Sequence, residues 1–176
     1  MRERLFAMKK AMVIGCPGCG KSTFSRALHE AVGLPLYHLD MMYWNADRSK
    51  VPKLVFMKRL SDVMEKESWI IDGNFTSTLE LRLQACDTVF FLDYPLSVCL
   101  EGLQMRKGKE RPDIPWVETD DTEDPEFAEF VRNYNAVSRP AVMALLGQYS
   151  FKNVYIFKSR DEAGEYLAQL RCKKER

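Results

Sequence analysis

The sequence is short of several things, and each shortage removes a class of protein. It lacks a charge excess: 26 Lys and Arg stand against 25 Asp and Glu, a formal net charge of +1 over 176 residues. A chain this neutral is not built to coat nucleic acid electrostatically. It lacks long apolar runs. The best are Ala11–Ile14 and Val89–Leu92, far below the roughly 20 residues that span a bilayer. The opening MRERLFAMKK sets charge on both sides of a short apolar patch, which is not the pattern of a secretion signal. It lacks an even, dense cysteine set. Its five cysteines are scattered at 16, 19, 86, 99 and 172, as expected for free thiols in a reducing cytoplasm. Internal repeats and low-complexity linkers are missing too. What remains is 46% apolar and 29% charged, ordinary for a globular protein and too apolar for a disordered one. The length suits one domain, residues 1–176, with a full hydrophobic core.

Against that background one segment stands out. Gly15-Cys16-Pro17-Gly18-Cys19-Gly20-Lys21-Ser22 matches G-x-x-x-x-G-K-[ST] without a mismatch. Its surroundings matter as much as the match. Ala11-Met12-Val13-Ile14 before it reads as a buried parallel strand. After it, Phe24, Ala27, Leu28 and Ala31 recur at helical spacing until Gly33 and Pro35 end the helix. The residue types suit phosphate binding. Glycines let successive N–H groups turn inward toward phosphate oxygens, and the helix adds its positive end. Lys21 is a mobile charge for the β- and γ-phosphates, the Ser22 hydroxyl suits Mg²⁺, and Thr23 completes the segment. Cys16 and Cys19 form a C-x-x-C pair, for which a redox role is the competing reading.

Four further strand-like runs follow: Leu36 to Leu39 before Asp40, Trp69 to Ile71 before Asp72, Thr88 to Leu92 before Asp93, and Val154 to Phe157 before Lys158. Helical stretches lie between them at roughly 53–67, 95–107, 126–146 and 161–172. Alternating strands and helices predict a doubly wound α/β fold with parallel crossovers. Ligands of such sheets bind beyond the carboxyl ends of the strands, where Asp40, Asp72 and Asp93 stand. Two charged segments interrupt the rhythm. RKGKER at 106–111 holds four basic residues, and ETDDTEDPEFAE at 118–129 holds seven acidic ones. The acidic run reads as a solvated helix start, with Asp124 as N-cap and Pro125 in the first turn. The residues at 127, 130, 134 and 143 read as core.

Taken together, this pattern resembles the adenylate-kinase-like branch of P-loop kinases, and within it the DNA topology modulation proteins. The resemblance covers roughly residues 10 to 170. It is carried by the phosphate loop, HLDxxxW (His38-Leu39-Asp40 and Trp44), WIIDGN (Trp69 to Asn74), the TLELRL segment (Thr78 to Leu83), Leu92-Asp93 with Pro95, RPDIP (Arg111 to Pro115) and SRP (Ser138 to Pro140). One departure is the second cysteine of CPGC, where such kinases more often carry a small hydroxyl or Ala. The resemblance implies a P-loop NTPase three-layer sandwich with a five-stranded parallel sheet. It also implies an acceptor-binding helical region at about 41–67, a lid at about 105–116, and ATP with Mg²⁺. Asp40 would then serve the acceptor, Asp72 the magnesium, and the lid arginines the phosphates.

Elementary chemistry bears on each placement. Asp40 at a strand end suits an acceptor hydroxyl, or a helix cap. Asp72 suits a water-held magnesium, or an Asp-Gly turn. Arg106 and Arg111 carry forked guanidinium groups that match phosphate geometry, or decorate a surface loop. Trp44 and Arg82 suit the acceptor, or packing and ion pairing. Arg139 is a further phosphate candidate, or an ordinary helix-boundary residue, and His38 reads as a core histidine. The expected activity is transfer of the γ-phosphoryl group of ATP to a nucleotide, nucleoside or other small hydroxyl compound. Nucleotide binding without transfer stands as the alternative, linked to DNA topology by the family's label. The net charge argues against direct nucleic-acid contact.

Overall fold

A computed structural model describes residues 8–119 and 124–174. Residues 1–7 of the charged opening segment, positions 120–123 of the acidic run, and residues 175–176 lie outside the described residues. The elements in chain order are β1 Lys10–Gly15, α1 Lys21–Val32, β2 Leu36–His38, α2 Leu39–Tyr43, α3 Lys53–Met64, β3 Trp69–Asp72, α4 Leu79–Ala85, β4 Thr88–Leu92, α5 Leu96–Arg106, α6 Pro125–Asn133, α7 Ser138–Gln148, β5 Asn153–Phe157 and α8 Arg160–Lys174. The strands form one parallel sheet in the order β2-β3-β1-β4-β5. This is the five-stranded α/β architecture expected from the strand-and-helix alternation.

Strand geometry explains the core. Successive side chains point to opposite faces, so neighbours in one strand join different clusters. Ala11 and Val13 pack with Phe24, Leu28, Ile70, Phe90 and Leu170 on the face covered by α1 and α8. Met12 and Ile14 pack with Leu60, Ile71, Leu83, Phe91 and Leu146 on the face covered by α3, α4 and α7. With both faces buried, the central strands read as unbroken apolar runs rather than alternating ones. Each such side chain contributes about 1.5–3 kcal/mol on leaving water. Among the described residues no helix is long and apolar enough to cross a membrane.

Three differences from the sequence reading have local causes. The stretch at 126–146 is two helices, with turns over Tyr134 to Val137. Pro140 lacks an N–H and clashes with the preceding turn in a helix interior. The structure accommodates it in the first turn of a new helix. Phe127 and Phe130 are 36% and 37% exposed rather than core, whereas Tyr134 of the same set is buried. The short helices α2 and α4 were not among the expected stretches, being too brief for helical periodicity to register. Asp124 does cap α6, its carboxylate accepting from the Glu126 N–H at 2.9 Å, with Pro125 in the first turn.

Candidate functional site

The phosphate loop leaves the central strand β1 and runs directly into α1. Gly20, in the left-handed region at φ 100°, occupies the helix N-cap, and the Phe24 N–H donates to its carbonyl at 2.9 Å. Gly18, at φ 82°, shows why this loop needs glycine: a Cβ there would come within 2.1 Å of the Cys99 carbonyl oxygen. On the facing side a Cβ at Gly102 would meet the Gly18 carbonyl at 2.0 Å. Helix α5 thus lies against bare loop backbone, and the loop shape is fixed by close packing. The Gly15 N–H donates to Asn74 Oδ1 at 3.1 Å, tying the loop to the turn after β3. Lys21 arches over the loop, its Nζ donating to the carbonyls of Gly15 at 2.9 Å and Cys16 at 3.2 Å.

The cysteines are free thiols, and four of the five are buried. A hydrogen bond with Cys99, reinforced by burial, pushes the Cys16 thiol up, and the same bond pulls Cys99 down. Burial raises Cys19 to about 11. The loop cysteines are therefore un-ionised at neutral pH, so thiolate chemistry at Cys16 or Cys19 is not set up.

The carboxyl ends of the strands collect the remaining residues. Asp40 lies in the first turn of α2, where no side chain caps the helix, so capping does not account for it. Burial, joined by the negative Asp72 and Asp113, raises its pKa to about 6 against the pull of Lys21 and Arg111. Asp72 ends β3, and both its oxygens lie 2.9 Å from His38 Nδ1. Burial pushes His38 down, but the bond and charge of Asp72 outweigh it and raise its pKa. His38 is thus an ion-pair partner rather than a passive core residue.

Beyond α5 the lid folds down onto the loop. Arg111 donates from Nε to Asp113 Oδ1 at 3.0 Å, and a terminal nitrogen bonds Asp113 Oδ2. Its other terminal nitrogen donates to Glu118 Oε2 at 2.6 Å. Arg106, at the end of α5, donates to Glu118 Oε1 at 2.6 Å. The Ser22 hydroxyl donates to Asp113 Oδ2 at 2.5 Å. Ser22, Arg106 and Arg111 are therefore linked through Asp113 and Glu118, beside the loop that carries Lys21.

Two expected residues have other employment. Arg82 is fully buried, and its guanidinium donates to the carbonyls of Gly73, Asn74, Phe75 and Thr78. It buttresses the turn that carries Asn74 and does not meet an acceptor directly. Arg139 grips Asp93 with two bonds at 2.6 and 2.8 Å, and Lys158 joins the same carboxylate. Trp44 packs edge-on against Tyr43 at 4.9 Å and against Trp116 of the lid at 5.6 Å. Asn74, Asp93, Asp113, Glu118 and Lys158 were not singled out as site residues. The WIIDGN, LD-P and RPDIP motifs already contained Asn74, Asp93 and Asp113, so a signal existed for those three.

The donor set near Ser22 is hydroxyl and carboxylate oxygen, which suits a hard cation such as Mg²⁺. Among the described residues no three His, Cys, Asp or Glu side chains are arranged to hold a metal by themselves.

The fold and loop define the P-loop kinase-like α/β class. Solved structures similar over the whole chain are shikimate kinases. The enzyme from Bacteroides thetaiotaomicron shares 20% identity, with 97% of this chain and 100% of that one covered and a TM-score of 0.57. The Aquifex aeolicus enzyme shares 18%, covering 94% and 96%, with a TM-score of 0.53. The Acinetobacter baumannii enzyme, solved with shikimate, shares 17% with both chains fully covered and a TM-score of 0.59. These identities make the likeness one of fold. No protein-family model matches the chain, and no curated protein matches it.

Proposed function

We propose that this chain is an ATP-dependent phosphotransferase that moves the γ-phosphoryl group to a hydroxyl of a small molecule. The observation that carries this reading is the phosphate loop between β1 and α1, with Lys21 folded over it and a carboxylate, Asp40, in the first turn of the helix after β2; burial pushes that carboxyl up to about 6. A phosphate site alone needs no such group, whereas hydroxyl transfer does. The loop N–H groups and Lys21 bind the phosphates; Ser22, with Asp72 through water, would hold magnesium, which would supply positive charge to the phosphates. Asp40 orients the acceptor hydroxyl and takes its proton as the oxygen–phosphorus bond forms and the bond to ADP breaks. Its pKa lies near working pH, where a general base is most effective. Arg106 and Arg111 screen the transferring group once freed from their carboxylates, and Arg139 stands in reserve behind Asp93.

The neighbours are named for shikimate, and one holds it. This favours a small hydroxylated compound of that kind over a nucleotide as acceptor. Tyr43, Phe56 and Phe75 pack ring to ring at 4.8 to 5.3 Å, and Trp44 adds to them through Tyr43 at 4.9 Å, an aromatic cluster that would suit such a ring. The motifs shared with DNA topology modulation proteins support membership of that family, whose label names no chemistry. The test is ATP consumption against a panel of hydroxy acids including shikimate, nucleosides, nucleotides and small alcohols. Stimulated turnover with one acceptor supports the reading. Tight ATP binding with no stimulated turnover for any acceptor favours a nucleotide-binding regulator.

A further inference from the structure

The lid holds a buried negative charge in the position where the chain's phosphate machinery is concentrated. Asp113 is 4% exposed. Burial works to raise its pKa, but the hydrogen bonds from Arg111 and Ser22 outweigh it and hold the carboxyl down at about 2. Asp113 is therefore ionised at any working pH. Its two oxygens engage the loop hydroxyl and the fork of a lid arginine together. A carboxylate and a phosphate present the same face to such donors: two anionic oxygens set for charge-assisted bonds. Arg111 has no guanidinium nitrogen left over, since its remaining one is on Glu118. Glu118 in turn holds Arg106. Three residues beyond Asp113, Trp116 closes on Trp44 with their rings at 90°. One short segment thus touches the phosphate loop and the acceptor region at once.

We propose that Asp113 is an internal stand-in for nucleotide: it occupies Ser22 and Arg111, and a magnesium nucleotide displaces it on binding, lifting Trp116 from Trp44. This rests on the nucleotide-binding part of the proposed function and not on transfer. The logic is competition. The Ser22 hydroxyl hydrogen reaches a phosphate oxygen only after Asp113 withdraws, and Arg111 reaches a phosphate only after releasing the same carboxylate. A latch of this kind lowers apparent affinity by the fraction of molecules in which it is open. It also makes lid release and acceptor-region release one event, because Asp113 and Trp116 travel together.

The test is calorimetric binding of ADP, with and without Mg²⁺, to wild type, Asp113→Asn and Asp113→Ala. A latch closed nine-tenths of the time gives variants that bind about tenfold tighter. Unchanged affinity in both variants overturns the proposal. So does weaker binding with a raised magnesium requirement, which makes Asp113 a metal-holding residue. Wild-type protein supplies an independent measurement if the variants fold poorly. Saturating Mg-ADP is expected to change tryptophan emission, and Trp116→Phe to abolish that change; no change in wild type overturns the latch. If wild type binds nucleotide and the variants gain nothing, the latch falls while the proposed function stands. If none of the proteins binds ADP or ATP, both fall.

Discussion

The phosphate loop and the lid meet at one hydroxyl, yet they are built from different forces. The loop is clamped by backbone: a buried strand before it, a helix after it, the Cys19 N–H on the Cys16 carbonyl at 3.1 Å, and α5 pressed on Gly18. The segment after α5 is tied mainly by charge, through Arg106, Arg111, Asp113 and Glu118, with backbone bonds from Gly108 N–H to the Glu118 carbonyl at 2.7 Å and from Lys109 N–H to the Arg106 carbonyl at 3.2 Å. Packed backbone cannot shift without opening voids or clashes. Ion pairs exchange partners readily when a better-matched anion arrives. The difference teaches a division of labour: close packing fixes the shape of the loop, while exchangeable ion pairs hold the segment that covers it.

Removing the rigid half's charge is the severest way to break that comparison. Lys21→Ala is expected to cut turnover about a thousandfold, the upper range for a lost transition-state donor. Its melting temperature is expected to stay near wild type, because the Lys21 ammonium donates to the loop carbonyls of Gly15 and Cys16 and closes no core contact. Steady-state kinetics beside calorimetry checks both.

Gly18→Ala attacks the clamp itself. The new methyl meets the Cys99 carbonyl, and the left-handed backbone disfavours it as well. A loss of about 3 kcal/mol is expected from overpacking and backbone strain together. Urea unfolding measures it; a change under about 0.5 kcal/mol, the level of an ordinary surface substitution, contradicts the clamp.

Asp40→Asn probes where the halves meet. A fall of about a hundredfold in kcat is expected with nucleotide affinity kept. The stability effect has a definite sign. Folding raises the Asp40 pKa from 3.8 to about 6, so its contribution is full below pH 3.8 and is lost as pH rises through 6. The variant is therefore expected to melt higher than wild type at pH 8 and level with it at pH 4. Equal melting at pH 8 removes the argument for a strained carboxylate.

The smallest effect concerns His38. Its pKa is raised above 6.5 in the fold by Asp72, so the pair's stabilisation is complete below pH 6.5 and fades as pH climbs through the folded value. His38→Asn is expected to flatten the melting profile above neutrality. Combining it with Asp40→Asn separates the two groups, which lose stability in the same direction.

The legible part of this molecule was local. Strand, loop and helix from residue 10 to 32 could be read because their signals are glycine spacing and apolar periodicity within a few neighbours. Asp40 could be placed at a strand end for the same reason. Arg82 could not be read, because TLELRL looks the same whether its arginine faces an acceptor or a bare turn. Only packing sends that side chain inward to four carbonyls. The break at Tyr134 was hidden because the apolar spacing continues through it, and Pro140 was the signal that was underweighted.

The sequence by itself determined that the chain is an α/β protein with a phosphate loop at its centre, since those properties follow from which residues adjoin which. Tertiary structure alone decided what the charged residues do. The count of 26 against 25 offers many pairings of equal chemistry, and a guanidinium takes whichever carboxylate the fold delivers. Folding brought Asp113 to Ser22 across 91 positions, Asp93 to Arg139 across 46, and Asp72 to His38 across 34. Short-range propensity carries no information at such separations, because the partners meet only after the sheet has formed.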